Sequence, residues 1–156
     1  MGAIQQLEES FPATSTRVER HTREEVNKKI QQKTAARLRT YRGAEPAAIS
    51  RRLEELDQEW DIERTLEANA ATLALAGLSL GALVNRKWFA LPAAVAGFLL
   101  QHALQGWCPP VPIFRRFGVR TTSEIDEERV ALRILRGDFR PTDDPQEAHQ
   151  QAMRRR

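Results

Sequence analysis

Hydrophobic residues are concentrated in one stretch of the chain, and charged residues dominate on both sides of it. The stretch covers residues 66–104 and reads LEANAATLALAGLSLGALVNRKWFALPAAVAGFLLQHAL. It contains two apolar runs separated by a short polar segment, 85–87. No Asp, Glu, Lys or Arg occurs within 68–85 or within 88–114. This pattern predicts two apolar helices joined by a tight turn.

Both helices are long enough to be membrane spans, at about residues 66–84 and 88–107. An α-helix rises about 1.5 Å per residue, so about 20 residues cover a hydrocarbon layer of roughly 30 Å. The alternative is a buried hairpin in a soluble helical bundle. A soluble helix of this length normally has a polar face, whereas segment 73–84 contains Ser79 as its one polar residue. No other part of the chain is apolar enough to cover two such helices, which favours the membrane interpretation.

The flanks are predicted to form amphipathic helices, so the expected fold is all-α, a two-helix transmembrane hairpin with amphipathic cytoplasmic helices on both sides. Ile49, Leu53, Leu56 and Trp60 recur at helical spacing before the hairpin. The predicted segments are a flexible N-terminus at 1–16, a soluble helical pair at 17–61, the hairpin domain at 62–121, an amphipathic helix at 122–137 and a disordered tail at 138–156.

Two helix starts carry capping patterns. Thr22-Arg23-Glu24-Glu25 matches a capping box, in which the threonine hydroxyl and Glu25 satisfy free amides. Asp61 is the expected cap of the first membrane helix, although a continuous helix through this position is also compatible with the pattern.

Small residues predict how the two spans pack, because they let helix backbones approach closely in a membrane. Gly77 and Gly81 form a GxxxG motif in the first span. The partner of this face is either the second span or another copy of the chain. The predicted packing residues are Ala70, Ala74, Gly77 and Gly81 in the first span and Ala93 and Gly97 in the second.

Polar residues are predicted to meet at the membrane boundary opposite the turn. If Arg86 is the turn centre, residues equally distant from it along the chain lie at equal depth. This places five polar side chains together, namely Glu67, Asn69, Gln101, His102 and Gln105. The favoured interpretation is a structural clasp of hydrogen bonds. The alternative is an ion or proton site, but its one ionisable pair, Glu67 and His102, lies at the edge of the membrane.

The number and positions of the charged residues limit the classes of partner that we expect. The 24 Lys and Arg residues against 21 Asp and Glu residues give a net charge of +3 on a mixed surface, so no nucleic-acid partner is expected. Arg115, Arg116 and Arg120 follow the second span and are expected to contact lipid head groups. Arg and Lys residues outnumber those of the turn on both sides of the hairpin, which predicts that both termini are cytoplasmic. We expect no cofactor and no metal.

The exit from the second span resembles the YgaP-like transmembrane domain family, small bacterial inner-membrane helical hairpins of unknown function. The matching residues are Gly106-Trp107-Cys108-Pro109 and the following segment 114–121, FRRFGVRT, after two Ala- and Gly-rich spans. The resemblance covers about residues 62–121 and implies a multi-pass protein of the bacterial inner membrane. Some relatives carry a rhodanese domain, which this chain lacks, so a sulfurtransferase activity is not implied.

Cys108 is the one cysteine and the one residue that is a candidate for covalent chemistry. A thiol carrier needs a positioned base. His102 is six residues away, about 600° around a continuous helix, so the two share a face only if the helix stops first. The favoured interpretation of Cys108 is therefore structural packing, with no catalytic residue in the chain.

The leading hypothesis is a non-enzymatic integral membrane protein. It acts as an anchor or interaction module, with lipids, a second copy of the chain and a cytoplasmic protein as candidate partners. The alternatives are a membrane-bound persulfide or redox carrier that uses Cys108, and a soluble binding module.

Overall fold

The computed structural model describes residues 12–153 and is all-helical over this range, without a strand. The predicted all-α class is confirmed, with more helices than the sequence pattern indicated. The α-helices are α1 (Arg17–Arg20), α2 (Glu24–Thr40), α3 (Pro46–Gln58), α4 (Ile62–Leu83), α5 (Ala90–Gln105), α6 (Val111–Phe117), α7 (Thr122–Arg136) and α8 (Pro145–Met153), with a 3₁₀ helix at Arg86–Phe89.

The structure differs from the prediction near the C-terminal end of the chain. Most of the N-terminal segment expected to be flexible, and the last three residues of the expected tail, lie outside the described residues. Helix α8 lies within the segment predicted to be disordered. The carbonyl of Gln151 accepts a hydrogen bond from the Arg133 guanidinium, and its side-chain oxygen accepts one from the Arg140 amide at 2.7 Å. These two bonds anchor a segment whose composition alone favours disorder.

The chain divides into two compact units, each built from two separate segments. The described part of the first unit comprises residues 12–28 and 60–122, and that of the second comprises residues 29–59 and 123–153. Residues 17–28 therefore group with α4 and α5, and the helix predicted at 122–137 groups largely with α3.

In the first unit, α4 begins where the sequence places its cap. The Asp61 carboxylate accepts a hydrogen bond from the Arg64 amide at 2.8 Å and one from the Thr122 hydroxyl at 2.6 Å. The Ile62 amide donates to the Arg120 carbonyl at 2.8 Å. Residues 59–61 separate α3 from α4, which decides against a continuous helix at this position.

Helix α2 does not begin at the predicted capping box. The Thr22 hydroxyl donates to the Val18 carbonyl at 2.8 Å, so it closes the end of α1 instead of capping α2. Helix α2 starts two residues later, at Glu24. A threonine hydroxyl can donate to the carbonyl one turn before it or accept from an amide two or three residues after it. The sequence pattern alone does not distinguish these two hydrogen bonds.

Helices α4 and α5 pack against one another through the glycines of α4. A Cβ at Gly77 would lie 2.6 Å from Pro92 Cδ, and one at Gly81 would lie 2.8 Å from two ring carbons of Phe89. The predicted small-residue face of α4 therefore contacts the second arm of the same chain. Gly97 has no atom within 4 Å of its Cβ position, so it lies outside this contact, which corrects its expected role within the hairpin.

Within residues 12–153, one stretch, Pro46–Leu83, contains a helix that is long and apolar enough to cross a membrane. Helix α4 provides its apolar part, and its 22 residues extend about 33 Å. Helix α5 has 16 residues, about 24 Å, because the first two residues of the predicted second span belong to the 3₁₀ helix and its last two lie beyond Gln105, where α5 ends.

The second unit has its own small core. Ile49, Leu53 and Leu56 of α3 pack with Ile125 and Leu132 of α7. A buried carboxylate lies in the same unit, since Glu128 is fully buried and accepts hydrogen bonds from two guanidinium groups. Arg37 Nη2 lies 3.0 Å from Glu128 Oε2, and Arg52 Nε lies 3.0 Å from Oε1.

Gly77→Leu is expected to destabilise the first unit by about 1–3 kcal/mol, because overpacking a tight contact forces side chains and backbone apart. The measurement is a denaturant titration of the purified protein in detergent micelles, followed by circular dichroism. The matched control is Gly97→Leu, which places the same side chain in open space on α5. An equal loss of stability in both variants would contradict the described α4–α5 contact.

Glu128→Gln is expected to destabilise the second unit by about 3 kcal/mol, because it leaves Arg52 without its buried counter-ion. The same titration measures this loss. The control is Glu55→Gln, which removes a second partner of Arg52 whose side chain is 64% exposed. That control should lower the free energy of unfolding by about 0–1 kcal/mol. Equal losses in Glu128→Gln and Glu55→Gln would contradict the role of Glu128 as a buried counter-ion.

Candidate functional site

A left-handed turn at Gly106 ends α5 and begins the candidate site in the first unit. Gly106 has a φ of 77°, and its amide donates to the His102 carbonyl at 2.7 Å. A Cβ on this residue would lie 2.6 Å from the backbone carbonyl carbon of Arg17. Both the backbone conformation and the close approach therefore require glycine.

The Glu63 carboxylate lies in the first turn of α4 and links the side chains of Arg17 and His102. Oε1 accepts from Arg17 Nη2 at 2.9 Å, and Oε2 lies 2.8 Å from His102 Nε2. A carboxylate paired with a guanidinium can only accept, so His102 Nε2 carries the hydrogen of this bond. The positive end of the α4 dipole also favours a negative charge in this turn.

The His102 ring contacts the Glu63 carboxylate through Nε2, and the Cys108 thiol interacts electrostatically with the same ring. Because Nε2 is bonded to Glu63, the Nδ1 atom is left for the thiol. Nδ1 is buried and has no hydrogen-bond partner of normal geometry, and the whole residue is only 3% exposed. Cys108 is 2% exposed. Glu63, His102 and Cys108 thus form the order carboxylate, imidazole, thiol, which is the arrangement of an activated nucleophile.

This arrangement differs from the sequence analysis, which treated Cys108 as a packing residue without a base. The assumption of a helix that continues beyond Gln105 placed the thiol and the imidazole on different faces. Helix α5 ends at Gln105, and the turn at Gly106 returns the chain toward His102. The glycine before Cys108 was the signal for this reversal, because glycine is the usual residue at a left-handed helix end.

A cavity of about 120 Å³ adjoins Cys108. It lies between α4 and α5 and is bounded at one end by the segment 108–110. Asn69 is the one polar side chain of its wall besides the thiol. The helices contribute mainly aliphatic and aromatic side chains, among them Leu66, Ala70 and Leu73 of α4 and Val95, Phe98 and Leu99 of α5.

The structure separates the five residues of the predicted polar clasp. His102 is bonded to Glu63, Asn69 lines the cavity, Gln101 is half-buried, and Glu67 and Gln105 are exposed. Within residues 12–153, His102 is the one member with a side-chain hydrogen bond.

The partner of His102 is Glu63 and not the predicted Glu67. Glu63 lies one helical turn before Glu67 on the same face of α4. One cause of the difference is the 3₁₀ helix at Arg86–Phe89, which rises about 2.0 Å per residue, so positions equally distant from Arg86 are not opposite.

The three arginines expected at lipid head groups have different environments. Arg115 is fully buried and donates to Thr22 Oγ1, to Asn27 Oδ1 at 2.8 Å and to the Val119 carbonyl. Arg120 is buried as well. These two side chains have no surface for a lipid, which corrects the prediction, whereas Arg116 is exposed. The partners of Arg115 lie up to 93 residues away in the chain, so local sequence gave no sign of them.

The packing residues also have different environments. Gly77, Gly81 and Ala70 are buried, Ala74 is half-buried, and Ala93 and Gly97 are exposed. In the described part of the chain, no three His, Cys, Asp or Glu side chains are arranged to hold a metal ion.

No family model, curated protein or solved structure matches the chain. The resemblance of segment 62–121 to the YgaP-like transmembrane domain family therefore stays a prediction, and the function has to be inferred from the site and from the exposed surface of α4 and α5.

Proposed function

We propose that the chain is a small integral membrane protein whose α4–α5 hairpin anchors it in the bilayer. The observation that carries this proposal is the exposed apolar surface of the two helices and their connection. Leu75, Leu83 and Leu100 are 65%, 85% and 62% exposed. Only 22% of the most apolar window of the candidate span is buried, whereas a core helix of a soluble protein is mostly buried. An apolar surface of this kind is typical of a membrane-facing protein.

The second arm completes the proposed hairpin. The 3₁₀ helix and α5 are continuous from Arg86 to Gln105. Their combined rise is about 32 Å, from about 2.0 Å per residue in the 3₁₀ helix and 1.5 Å in α5, which matches the hydrocarbon layer. Arg86 and Lys87 then lie at the far boundary, opposite Glu63 and His102. The exposed Ala93 and Gly97 of this arm form the face on which a second copy would pack.

The membrane boundary on the side of Glu63 and His102 has the side chains expected at a lipid interface. Ile113 and Phe117 of α6 are exposed beside Arg116, so they can enter the interface while the guanidinium meets phosphates. The exposed Trp60 ring lies 4.4 Å from the Arg64 guanidinium carbon, a cation–π contact typical of interfacial indoles. The excess of Arg and Lys on this side places both termini in the cytoplasm.

The protein is expected to remain in the membrane pellet after carbonate extraction, and its turn is expected to face away from the cytoplasm. Both are measured in bacterial cells, the second with a membrane-impermeant maleimide on Lys87→Cys in a Cys108→Ser background. Intact cells should label this variant. The control, Asp143→Cys in the same background, should be labelled only after permeabilisation.

Release of the protein by carbonate would contradict the membrane anchor. Labelling of Asp143→Cys but not Lys87→Cys in intact cells would leave the anchor in place and reverse its orientation.

The order Glu63, His102, Cys108 favours a second candidate function, a membrane-bound thiol carrier that uses Cys108. His102 Nδ1 is the atom that can hold the thiol proton, and the Glu63 carboxylate stabilises the imidazolium beside the sulfur. The thiol of a carrier is loaded by one reaction and unloaded by another, so this function adds a covalent step to the anchor without requiring turnover on this chain.

His102→Gln is expected to lower the rate of Cys108 alkylation by iodoacetamide about 100-fold, because a positioned base typically contributes at least this factor. The rate is measured by intact mass on protein in detergent micelles, with Cys108→Ser as the blank. The matched control is Gln105→Ala, an exposed residue of the same helix, which should react at the wild-type rate. Equal rates in all three cysteine-containing proteins would refute the carrier.

A further inference from the structure

The cavity beside Cys108 opens onto the apolar surface of α4 and α5. Leu73 and Phe98 both line it, and they are 42% and 45% exposed. The cavity is therefore continuous with the surface that the proposed hairpin presents to lipid, while the buried Cys108 forms part of its wall. A ligand in this cavity would touch the thiol at one end and hydrocarbon at the other.

The lining selects the chemistry of that ligand. Among the described residues that line the cavity there is no charged side chain. A small anionic sulfur donor would find no counter-charge here, since burying a charge without a partner is strongly unfavourable. The volume, about 120 Å³, is below the roughly 300–1,000 Å³ typical of pockets that enclose a whole ligand. It suits a section of a hydrocarbon chain whose remainder continues along the helices.

We infer that Cys108 is an acceptor for a long-chain acyl group, which it takes from an acyl thioester and holds with the chain in this cavity. The inference rests on the proposed thiol carrier and names its cargo. Two independent observations support it, namely the buried His102 ring, whose Nδ1 has no hydrogen-bond partner among the described residues, and the apolar cavity that Cys108 lines.

The transfer is balanced without an oxidant or a reductant. With the thiol proton held on His102 Nδ1, the Cys108 sulfur forms a bond to the carbonyl carbon of the donor thioester. The carbon–sulfur bond of the donor then breaks, and the departing thiolate takes the proton back from Nδ1. The products are an acyl thioester on Cys108 and the free thiol of the donor.

This chemistry also agrees with the presence of a single cysteine. A disulfide-based redox carrier needs a second thiol to resolve the bond, whereas a thioester is released by any acceptor nucleophile. An acyl donor has a polar end and an apolar chain, so it can approach Cys108 from the boundary while its chain enters from the helix surface.

The test is incubation of the full-length protein in detergent micelles with a C16 acyl-coenzyme A or with acetyl-coenzyme A, followed by intact mass. The expected result is addition of the C16 acyl group to wild type at least tenfold faster than addition of the acetyl group, with complete removal by neutral hydroxylamine. Cys108→Ser should gain neither group.

Ala70→Leu, which fills the cavity, is the variant that tests the binding of the chain. It should lower the ratio of C16 to acetyl transfer at least fivefold, a ratio that a general loss of folding would not change selectively. Its control is Ala94→Leu, an exposed position of α5, which should keep the wild-type ratio.

Two outcomes would overturn the inference in distinguishable ways. Alkylation by iodoacetamide that depends on His102, together with equal or absent C16 and acetyl transfer, would leave the thiol carrier in place and refute the acyl cargo. Alkylation that does not depend on His102 would refute the carrier itself.

Discussion

The left-handed turn at Gly106 is the constraint on which the geometry of the site depends. It stops α5 one turn after His102 and returns the chain, so that Cys108 lies beside the imidazole instead of on the opposite face of a longer helix. The same glycine lets the Arg17 backbone approach to where a Cβ would be, which holds the Arg17 guanidinium within reach of Glu63. One residue without a side chain therefore helps to position Cys108 and Arg17, which come from separate segments of the chain.

The Glu63 carboxylate provides the hydrogen-bond partner that the Arg17 guanidinium and the buried His102 ring need. Each of its oxygens has a different partner, Arg17 on one side and His102 on the other, and it lies at the positive end of α4. A buried ion pair contributes little net stability unless hydrogen bonds satisfy its remaining atoms, and removing one partner leaves an uncompensated charge. The second unit solves the same problem with Glu128 between Arg37 and Arg52. In both units the carboxylate connects segments that are distant in the sequence.

The sequence predicted what depends on local pattern and missed what depends on distant partners. The apolar runs, the Asp61 cap and the contacting glycines Gly77 and Gly81 follow from composition and short-range spacing, and the structure contains each of them. Arg115 was assigned to lipid because its neighbours are apolar and basic, whereas its actual partners in α2 and before it have no sequence relation to it. The Cys108–His102 contact was missed because the rotation was counted along a helix that ends at Gln105.

The position of the ionisable groups relates the site to the anchor. Charged groups are costly within the hydrocarbon layer, and Glu63, Arg17 and His102 all lie at the ends of α4 and α5 that are remote from the turn at 85–87. The cavity, by contrast, extends from Cys108 toward the middle of both helices. In the proposed membrane orientation, a thiol at this junction would face polar groups on one side and hydrocarbon on the other. An acyl thioester uses both environments, because its carbonyl group is polar and its chain is apolar.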